Sequence, residues 1–141
     1  ATDLKGEGAR LWGGRWNNKM VGCLYTSESR ALAVLEYTVN INIDEIPRAL
    51  SLITIEIPDR KIRILKEADL PGDWKKAPAP SSTKDFGSKL LLGGKMPVIQ
   101  IPSAILPDEF NYLLNPRHPD SEKFKIIHIA DFVYDIRIKQ T

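Results

Sequence analysis

The sequence of 141 residues contains one cysteine, Cys23, so no disulfide can form within the chain. It has no uninterrupted apolar run of the roughly 20 residues that a membrane-spanning helix needs, and no secretory leader pattern. We therefore expect a cytosolic protein in a reducing compartment, without a membrane association. A lone cysteine in an apolar context is usually packed, so we expect a buried thiol rather than a nucleophile.

Several catalytic and binding motifs are also absent. The sequence has no CxxC, no HExxH and no carboxylate–histidine cluster at ligand spacing, so we expect no metal site. It has neither the GxxxxGK[ST] phosphate loop nor the GxSxG nucleophile elbow. A net charge of only +2 does not suggest a polyanion, so we expect no direct nucleic-acid binding. A small charged ligand remains possible.

The overall composition fits one globular domain spanning residues 1–141, because 43% of the residues are hydrophobic and 27% are charged. Short alternating segments and two helical segments predict a fold that mixes strands and helices. The chain begins without methionine and opens almost directly on a glycine-rich segment. We therefore expect a leading segment to be missing.

The glycine-rich segment runs from Gly6 to Asn17 and holds four glycines, two arginines and two tryptophans. Because glycine weakens both helices and strands, this composition predicts a shaped loop. Gly13 and Gly14 leave the backbone bare, so that a ligand can approach closely, and Arg15 offers forked donors for a phosphate. In the structural alternative, both tryptophans pack into the core and Arg15 pairs with a carboxylate.

A short strand from Val21 to Thr26 and a helix from Arg30 to Asn40 are predicted next, with Ser27 as the helix N-cap. The apolar stripe of the helix contains Leu32, Leu35 and Val39. The packed face of this helix is therefore expected to include Val39.

Glu36 lies on that stripe, one turn from Leu32 and close to Val39, so its carboxylate is expected to face the packed side. A desolvated carboxylate is costly unless it meets a cation or takes part in chemistry. The alternative is a boundary glutamate whose carboxylate reaches water.

The rest of the chain predicts scaffold elements. These are strands at 53–57 and 62–64 around a Pro58–Asp59 turn, a surface excursion at 71–83 pinned by Trp74, a helix through 86–92, a proline-bracketed strand at 97–102, and adjacent terminal strands at 125–130 and 132–138. Ser103 follows the proline-bracketed strand, where functional hydroxyls are often found, although serine after proline is more often a turn former.

Four residues remain as candidates for chemistry: Arg15, Tyr25, Glu36 and Ser103. They combine a phosphate-pairing cation, an aromatic plate, a carboxylate and a hydroxyl. Cleavage of an N-glycosidic bond in a dinucleotide requires this combination, because an arginine holds the pyrophosphate, a ring stacks on the base and a carboxylate stabilises an oxocarbenium-like transition state.

The order and spacing of several segments resemble the RES domain, the toxin of bacterial Xre–RES toxin–antitoxin pairs. The matching segments are Gly8-Ala9-Arg10-Leu11-Trp12-Gly13-Gly14-Arg15-Trp16-Asn17, Tyr25-Thr26-Ser27, the helix ending in Leu35-Glu36, residues 98–104 and residues 111–119. The resemblance implies an α+β fold similar to ADP-ribosyltransferases, with split, mostly antiparallel sheets and flanking helices. It also implies a short N-terminal strand before the glycine-rich segment, which we expect to be missing here. It further implies NAD+ as substrate with no further cofactor, and inhibition by an Xre-type helix-turn-helix antitoxin, with a possible oligomer in the antitoxin complex.

By position, Arg15, Glu36 and Ser103 resemble the arginine, glutamate and serine that name the family, and Tyr25 resembles the tyrosine of its NAD pocket. The resemblance thus implies that Arg15, Tyr25, Glu36 and Ser103 are catalytic, with Glu36 stabilising the ribosyl cation and Ser103 orienting Glu36 or the ribose. The residues expected to contact NAD+ are Arg15, Tyr25, Gly14 and Ser103. Three functions remain open: depletion of NAD+ by a glycohydrolase or phosphorylase, mono-ADP-ribosylation of a protein, and non-catalytic partner binding.

Overall fold

The computed structural model describes residues 4–47 and 49–139, which form three α-helices and six strands. The helices are α1 (Glu7–Trp12), α2 (Arg30–Asn40) and α3 (Ser81–Gly93), and the strands are β1 (Leu24–Ser27), β2 (Leu50–Glu56), β3 (Ile62–Ile64), β4 (Val98–Pro102), β5 (Phe110–Leu114) and β6 (Lys125–Phe132). The predicted α+β class with two mostly antiparallel sheets is confirmed.

The larger sheet has four strands in the order β1-β5-β4-β3, with only the β3–β4 pair parallel. Prolines bracket strand β4, and it lies inside the sheet with a partner on each side. Pro97 precedes the strand and Pro102 is its last residue, so the missing N–H groups fall at its ends.

The smaller sheet pairs β2 with β6, with a bulge between Thr54 and Ile55. Strands β2 and β3 follow each other in sequence but belong to different sheets. The predicted second terminal strand at 132–138 is wrong in the described residues, because Ile136–Ile138 is a 3-10 helix. The Asp135 carboxylate accepts hydrogen bonds from the Arg137 backbone and guanidinium, which stabilises the turn instead of an extended chain.

The two faces of the larger sheet have different roles. Side chains alternate along each strand, so the registers place Tyr25, Ser27, Asn111 and Leu113 on one face. This face packs against α3 and the glycine-rich segment through a core of Trp16, Cys23, Trp74, Leu91, Ile99, Ile101 and Leu113. The opposite face has a second core of Val98, Leu114 and Phe124, against which β2 packs.

Helix α2 has the predicted bounds, but two details of its prediction are wrong. The N-cap is Ser29, whose hydroxyl accepts a hydrogen bond from the Leu32 backbone, and not Ser27. Val39 is 53% exposed, because the helix packs through Leu32 and Thr38. The buried Thr38 hydroxyl lies 2.6 Å from the Tyr134 hydroxyl, which fixes the far end of the helix.

The glycine-rich segment was predicted as a loop throughout, but its first half is helix α1. Gly6 (φ 69°) and Gly13 (φ 77°) flank the helix with left-handed backbone angles, so these glycines end the helix rather than weaken its interior. Within the helix, Glu7 and Arg10 form an ion pair at 3.0 Å. The shaped loop is therefore shorter than predicted and spans residues 13–17.

The excursion after residue 70 is anchored as predicted, because Trp74 is buried against Trp16 with ring centroids 6.5 Å apart. Helix α3 ends where predicted, at Gly94 in a left-handed conformation with φ 63°. Within residues 4–47 and 49–139, no helix has the length and apolar character needed to cross a membrane.

Candidate active site

A buried asparagine organises the shaped loop. Asn17 is fully buried, and its amide nitrogen donates to the carbonyl oxygens of Ala9 at 2.7 Å and Val21 at 2.8 Å. The Gly14 amide also donates to the Asn17 carbonyl at 3.1 Å, which closes the turn. The two side-chain bonds connect the segments before and after the loop to Asn17.

Tyr25 lies against this loop and shares hydrogen bonds with it. Its hydroxyl accepts from the Trp16 amide at 2.9 Å and donates to Asn17 Oδ1 at 2.5 Å. A Cβ atom added at Gly14 would lie 2.6 Å from the Tyr25 hydroxyl oxygen and 2.8 Å from its ring. Gly14 thus allows a close approach, but in this structure the neighbour is Tyr25.

Two weak acids in this region are held protonated. Burial raises the pKa of the Tyr25 phenol well above its usual value, with the charge of Arg15 acting as a smaller opposing influence. Burial likewise raises the pKa of the Cys23 thiol. Cys23 is 1% exposed and packed in the core, so its predicted structural role is confirmed.

Arg15 is half-buried and bonds backbone atoms rather than a carboxylate. Its Nη1 donates to the carbonyl oxygens of Trp74 at 2.9 Å and Lys76 at 2.7 Å. Its Nε and Nη2 donate no hydrogen bond to the residues that the structure describes, and no such side-chain atom is both buried and unpaired. Arg15 therefore joins the loop to the 74–76 segment and keeps donors accessible to solvent.

The two tryptophans of the segment behave differently. Trp16 is buried against Trp74 and Phe86, as the structural alternative predicted. Trp12, at the end of α1, is 77% exposed, so that alternative is wrong for this residue.

Glu36 is half-buried, and each of its carboxylate oxygens accepts one side-chain hydrogen bond. Ser103 Oγ donates to Oε1 at 3.0 Å, and Asn111 Nδ2 donates to Oε2 at 3.1 Å. No cation forms an ion pair with this carboxylate within the described ranges. The carboxylate is therefore held by two neutral donors, and no cation among the described residues compensates its negative charge.

Ser103 is fully buried at the end of β4. Its hydroxyl oxygen accepts from the backbone amides of Ile105 at 3.1 Å and Leu106 at 3.2 Å. Because both acceptor positions face backbone amides, the single hydroxyl proton is directed at Glu36. Ser103 is both a turn former and a donor to the carboxylate.

The structure joins the four predicted residues in two groups. Glu36 and Ser103 are in direct hydrogen-bond contact, while Arg15 and Tyr25 share the glycine loop. Tyr25 and Ser27 point to the same side of β1, about 7 Å apart along the strand. Since Ser27 donates to Asn111 at 2.6 Å, β1 brings the two groups to one face of the sheet.

Sequence reasoning did not single out Asn17, Ser27 or Asn111 as functional. All three residues lie in the segments that carried the family resemblance, and that was the only available signal. Ser27 was predicted as a helix cap, but its hydroxyl instead donates across the sheet to Asn111.

A cavity of about 660 Å³ is lined by residues of β1, α2 and β2. Its lining includes Arg30, Val34 and Tyr37 of the helix, but not Arg15, Glu36 or Ser103. The cavity adjoins the candidate site through Tyr25 and Ser27 on β1.

The structure defines an α+β protein in which β1 brings the Arg15–Tyr25 group and the Glu36–Ser103 group to one face of the larger sheet. A model of the RES domain matches residues 1–135. The chain belongs to the RES domain family.

Curated relatives cover nearly the whole chain and are named as toxins. A Prs ADP-ribosylating toxin of Sphingobium sp. (strain YBL2) is 37% identical over 141 residues, which is 98% of this chain and 88% of the relative. Toxin Res of Photorhabdus laumondii is 39% identical over 94% of this chain and 86% of the relative. Toxin Res of Yersinia enterocolitica is 36% identical over 99% of this chain and 92% of the relative.

Among solved structures, the chain is similar to one in the M. tuberculosis MbcT–MbcA toxin–antitoxin complex. The TM-score is 0.69 at 20% identity, covering 91% of this chain and 76% of the other. At that identity the similarity supports the fold.

Proposed function

We propose that this protein is a toxin that consumes NAD+ by cleaving the bond between nicotinamide and ribose. The observation that carries the proposal is the Glu36 carboxylate, which is half-buried and held at both oxygens by neutral donors. A negative charge fixed in this way stabilises a developing oxocarbenium ion, because it needs no reorganisation when the bond breaks.

Arg15 binds the pyrophosphate in this proposal. Its Nη1 is occupied by the Trp74 and Lys76 carbonyls, which fix the plane of the guanidinium. The remaining donors, Nε and Nη2, lie along one edge and match two oxygens of a phosphate. Gly14, next to Arg15, lets the Tyr25 ring lie directly against the loop.

Tyr25 provides the surface on which the nicotinamide stacks. Its hydroxyl is held by Trp16 and Asn17, while 38% of the residue is exposed. A ring anchored at its polar end and accessible elsewhere is suited to stacking on a flat, charged base.

The proposed step breaks the ribose C1′–nitrogen bond, and the electron pair leaves with nicotinamide, which becomes neutral. Glu36 stabilises the positive charge at C1′ until a nucleophile attacks it. Water, inorganic phosphate or a protein side chain supplies the new bond at C1′ and releases its proton to solvent. Water gives ADP-ribose and phosphate gives a phosphorylated ADP-ribose.

A second candidate function is mono-ADP-ribosylation of a protein. The Sphingobium relative, 37% identical, is named as an ADP-ribosylating toxin that acts on Prs. The same four residues serve that reaction, since only the nucleophile at C1′ differs. A domain that binds a partner without catalysis is the third candidate.

The test is to incubate the purified protein with NAD+ alone, with added phosphate, and with cell lysate, and to identify products by mass spectrometry. Free ADP-ribose indicates hydrolysis, a phosphate adduct indicates phosphorolysis, and a protein shifted by one ADP-ribosyl group indicates transfer. A Glu36→Gln preparation is the matched control for contaminating enzymes. Intact NAD+ in every arm would rule out the catalytic candidates.

We further propose that an Xre-type helix-turn-helix antitoxin binds over the site. The M. tuberculosis structural neighbour was solved in a toxin–antitoxin complex. In this chain Arg15 joins the glycine loop to the 74–76 segment, so both lie on one rim, beside the exposed Trp12. Expression alone is expected to arrest growth as NAD+ falls. Co-expression with the helix-turn-helix protein encoded by an adjacent gene should restore growth, because the two proteins form a stable complex. An unchanged cellular NAD+ level when the protein is expressed without the antitoxin would contradict the toxin proposal.

A further inference from the structure

We propose that Asn111 is a positioning residue that fixes the Glu36 carboxylate, and that Ser27 sets the orientation of the Asn111 amide. The inference rests on the proposed function, in which Glu36 supplies the charge at the breaking bond. It adds two residues to the site, neither of which has to touch the substrate.

The chemistry of the groups allows one orientation of the amide. An ionised carboxylate only accepts hydrogen bonds, so the Asn111 atom 3.1 Å from Glu36 Oε2 is the amide nitrogen. The amide oxygen then faces Ser27, whose hydroxyl donates to it at 2.6 Å. Without that donor, the amide could rotate and present its oxygen to the carboxylate, which is repulsive.

The sheet places these groups by register. Ser27 and Asn111 are paired residues of β1 and β5, and Asn111 also pairs with Ile101 of β4, two residues before Ser103. Donors on two neighbouring strands therefore reach the two oxygens of one carboxylate. A carboxylate held at both oxygens cannot rotate about its terminal bond, whereas one held at a single oxygen can.

The helix that carries Glu36 is joined to the same strand. The Glu28 amide donates to the Phe110 carbonyl at 3.1 Å, and the Phe110 amide donates to the Glu28 carboxylate at 3.2 Å. Strand β5 thus contacts the chain just before α2 and, through Asn111, the Glu36 side chain. This double attachment explains how a residue on a helix is aligned with a sheet.

The first test is Asn111→Leu, which removes the amide with little change in volume. It is expected to lower kcat for NAD+ consumption about 10- to 100-fold with little change in KM, because a misplaced carboxylate affects the reaction more than binding. The matched control is Tyr112→Phe on the same strand, which removes a hydroxyl that bonds Gln100 on the opposite face. That control should keep wild-type kcat.

The second test is Asn111→Asp, which separates positioning from a merely structural effect. At acidic pH the Asp–Glu pair shares a proton, and the protonated Asp donates to Glu36 as the amide does. At higher pH both groups ionise, the donor is lost and the carboxylates repel. The ratio of variant to wild-type kcat is therefore expected to fall at least tenfold as pH rises from about 5 to 8. The titration of other groups, including Glu28, changes the kcat of variant and wild type equally, so its effect cancels in this ratio.

The third test is Ser27→Ala, with Ser27→Thr to restore the hydroxyl and Thr26→Val as a control on the opposite face of β1. Alanine is expected to lower kcat about 3- to 10-fold, roughly the effect of one neutral hydrogen bond, and threonine to recover it. Thr26 donates to the Tyr112 carbonyl and should be neutral.

The inference is overturned if the ratio of Asn111→Asp kcat to wild-type kcat stays constant or rises with pH. It is also overturned if Asn111→Leu keeps the wild-type kcat. If Asn111→Leu does not fold, the near-isosteric Asn111→Asp still decides the matter. A wild-type protein that leaves NAD+ intact overturns the proposed function and this inference together. If the wild-type protein consumes NAD+ and the Asn111 variants have the same kcat, this inference is overturned and the proposed function is not.

Discussion

The two halves of the candidate site are built from different kinds of bond. Arg15 and Tyr25 are held largely through the backbone, since Arg15 bonds two carbonyls and the Tyr25 hydroxyl accepts from an amide. Glu36 is held by the side chains of Ser103 and Asn111. The loop half therefore depends on chain conformation, whereas the Glu36 half depends on individual side-chain groups. Substitutions should affect them differently.

The largest expected effect is in the Glu36 half. Glu36→Gln keeps the size and helix propensity of the side chain but removes its charge, so kcat should fall about 10²- to 10³-fold. The free energy of unfolding should fall by only about 1 kcal/mol, because no ion pair is lost among the described residues and the glutamine amide keeps one of the two hydrogen bonds to Ser103 and Asn111. Kinetics and thermal unfolding on the same preparation check both parts. A folded variant with near-normal turnover would refute the mechanism.

Substitutions of Arg15 test whether the loop half of the site binds the substrate. Arg15→Ala should raise KM for NAD+ about 10- to 100-fold through lost charged hydrogen bonds to phosphate. Arg15→Lys should recover only part of this loss, because an ammonium cannot bond two carbonyls and a phosphate edge in one plane. Steady-state kinetics measure the effect, and full activity with lysine would mean that Arg15 acts only as a positive charge.

Two glycine substitutions sharpen the comparison within the loop half. Gly14→Ala places a methyl group 2.6 Å from the Tyr25 hydroxyl, so we expect a loss of about 1–3 kcal/mol in the free energy of unfolding and about tenfold lower activity. Gly8→Ala is the control. Its added Cβ meets nothing within 4 Å, and it should stabilise the protein by about 0.4–1 kcal/mol. Equal effects of the two substitutions in denaturant unfolding would contradict this account.

These comparisons also show what the sequence could predict. The bounds of α2 and the end of α3 depend on local periodicity and capping, and they were predicted correctly. The composition of the glycine-rich segment was misleading for α1, because the positions of the glycines at the helix ends matter more than their number.

Long-range pairing was the part that could not be predicted. Ser27 and Asn111 lie 84 positions apart, and Asn111 and Glu36 lie 75 apart. No periodicity within a short window reveals such contacts, which depend on the order of strands in the sheet. Arg15, Tyr25, Glu36 and Ser103 were identified because their chemistry and the family resemblance agreed, while their supporting residues had only ordinary sequence patterns.

A smaller effect on stability is expected at Tyr25. Tyr25→Phe leaves the Trp16 amide and the buried Asn17 Oδ1 without their partner, which should lower the free energy of unfolding by about 1–3 kcal/mol. Urea denaturation measures this loss. Tyr112→Phe is the control, since its hydroxyl bonds only the Gln100 side chain. An unchanged unfolding midpoint in Tyr25→Phe would show that the loop does not depend on the tyrosine.

The smallest effect concerns alkaline pH. Burial raises the pKa of Tyr25 and of Cys23, so the unfolded chain loses these protons first as pH rises. The contribution of each group to stability is full below its unfolded-state pKa, about 8.5 for Cys and 10 for Tyr, and is lost progressively above it. The free energy of unfolding should therefore decline from pH 8 to 10.5, and Tyr25→Phe should flatten the upper part of the decline. A stability independent of pH in this range would contradict the assignment.

The contrast between Trp12 and its buried counterparts has an optical consequence. Trp16 and Trp74 lie in contact in an apolar core, whereas Trp12 stands in water beside the glycine loop. Indole emission shifts to longer wavelength in a polar solvent, so the exposed ring should give the red component of the fluorescence and be quenched by iodide. Trp12→Phe should leave only the blue, iodide-resistant component. The protein thus carries a fluorophore at the rim of its candidate site, where an arriving partner alters the emission without any added dye.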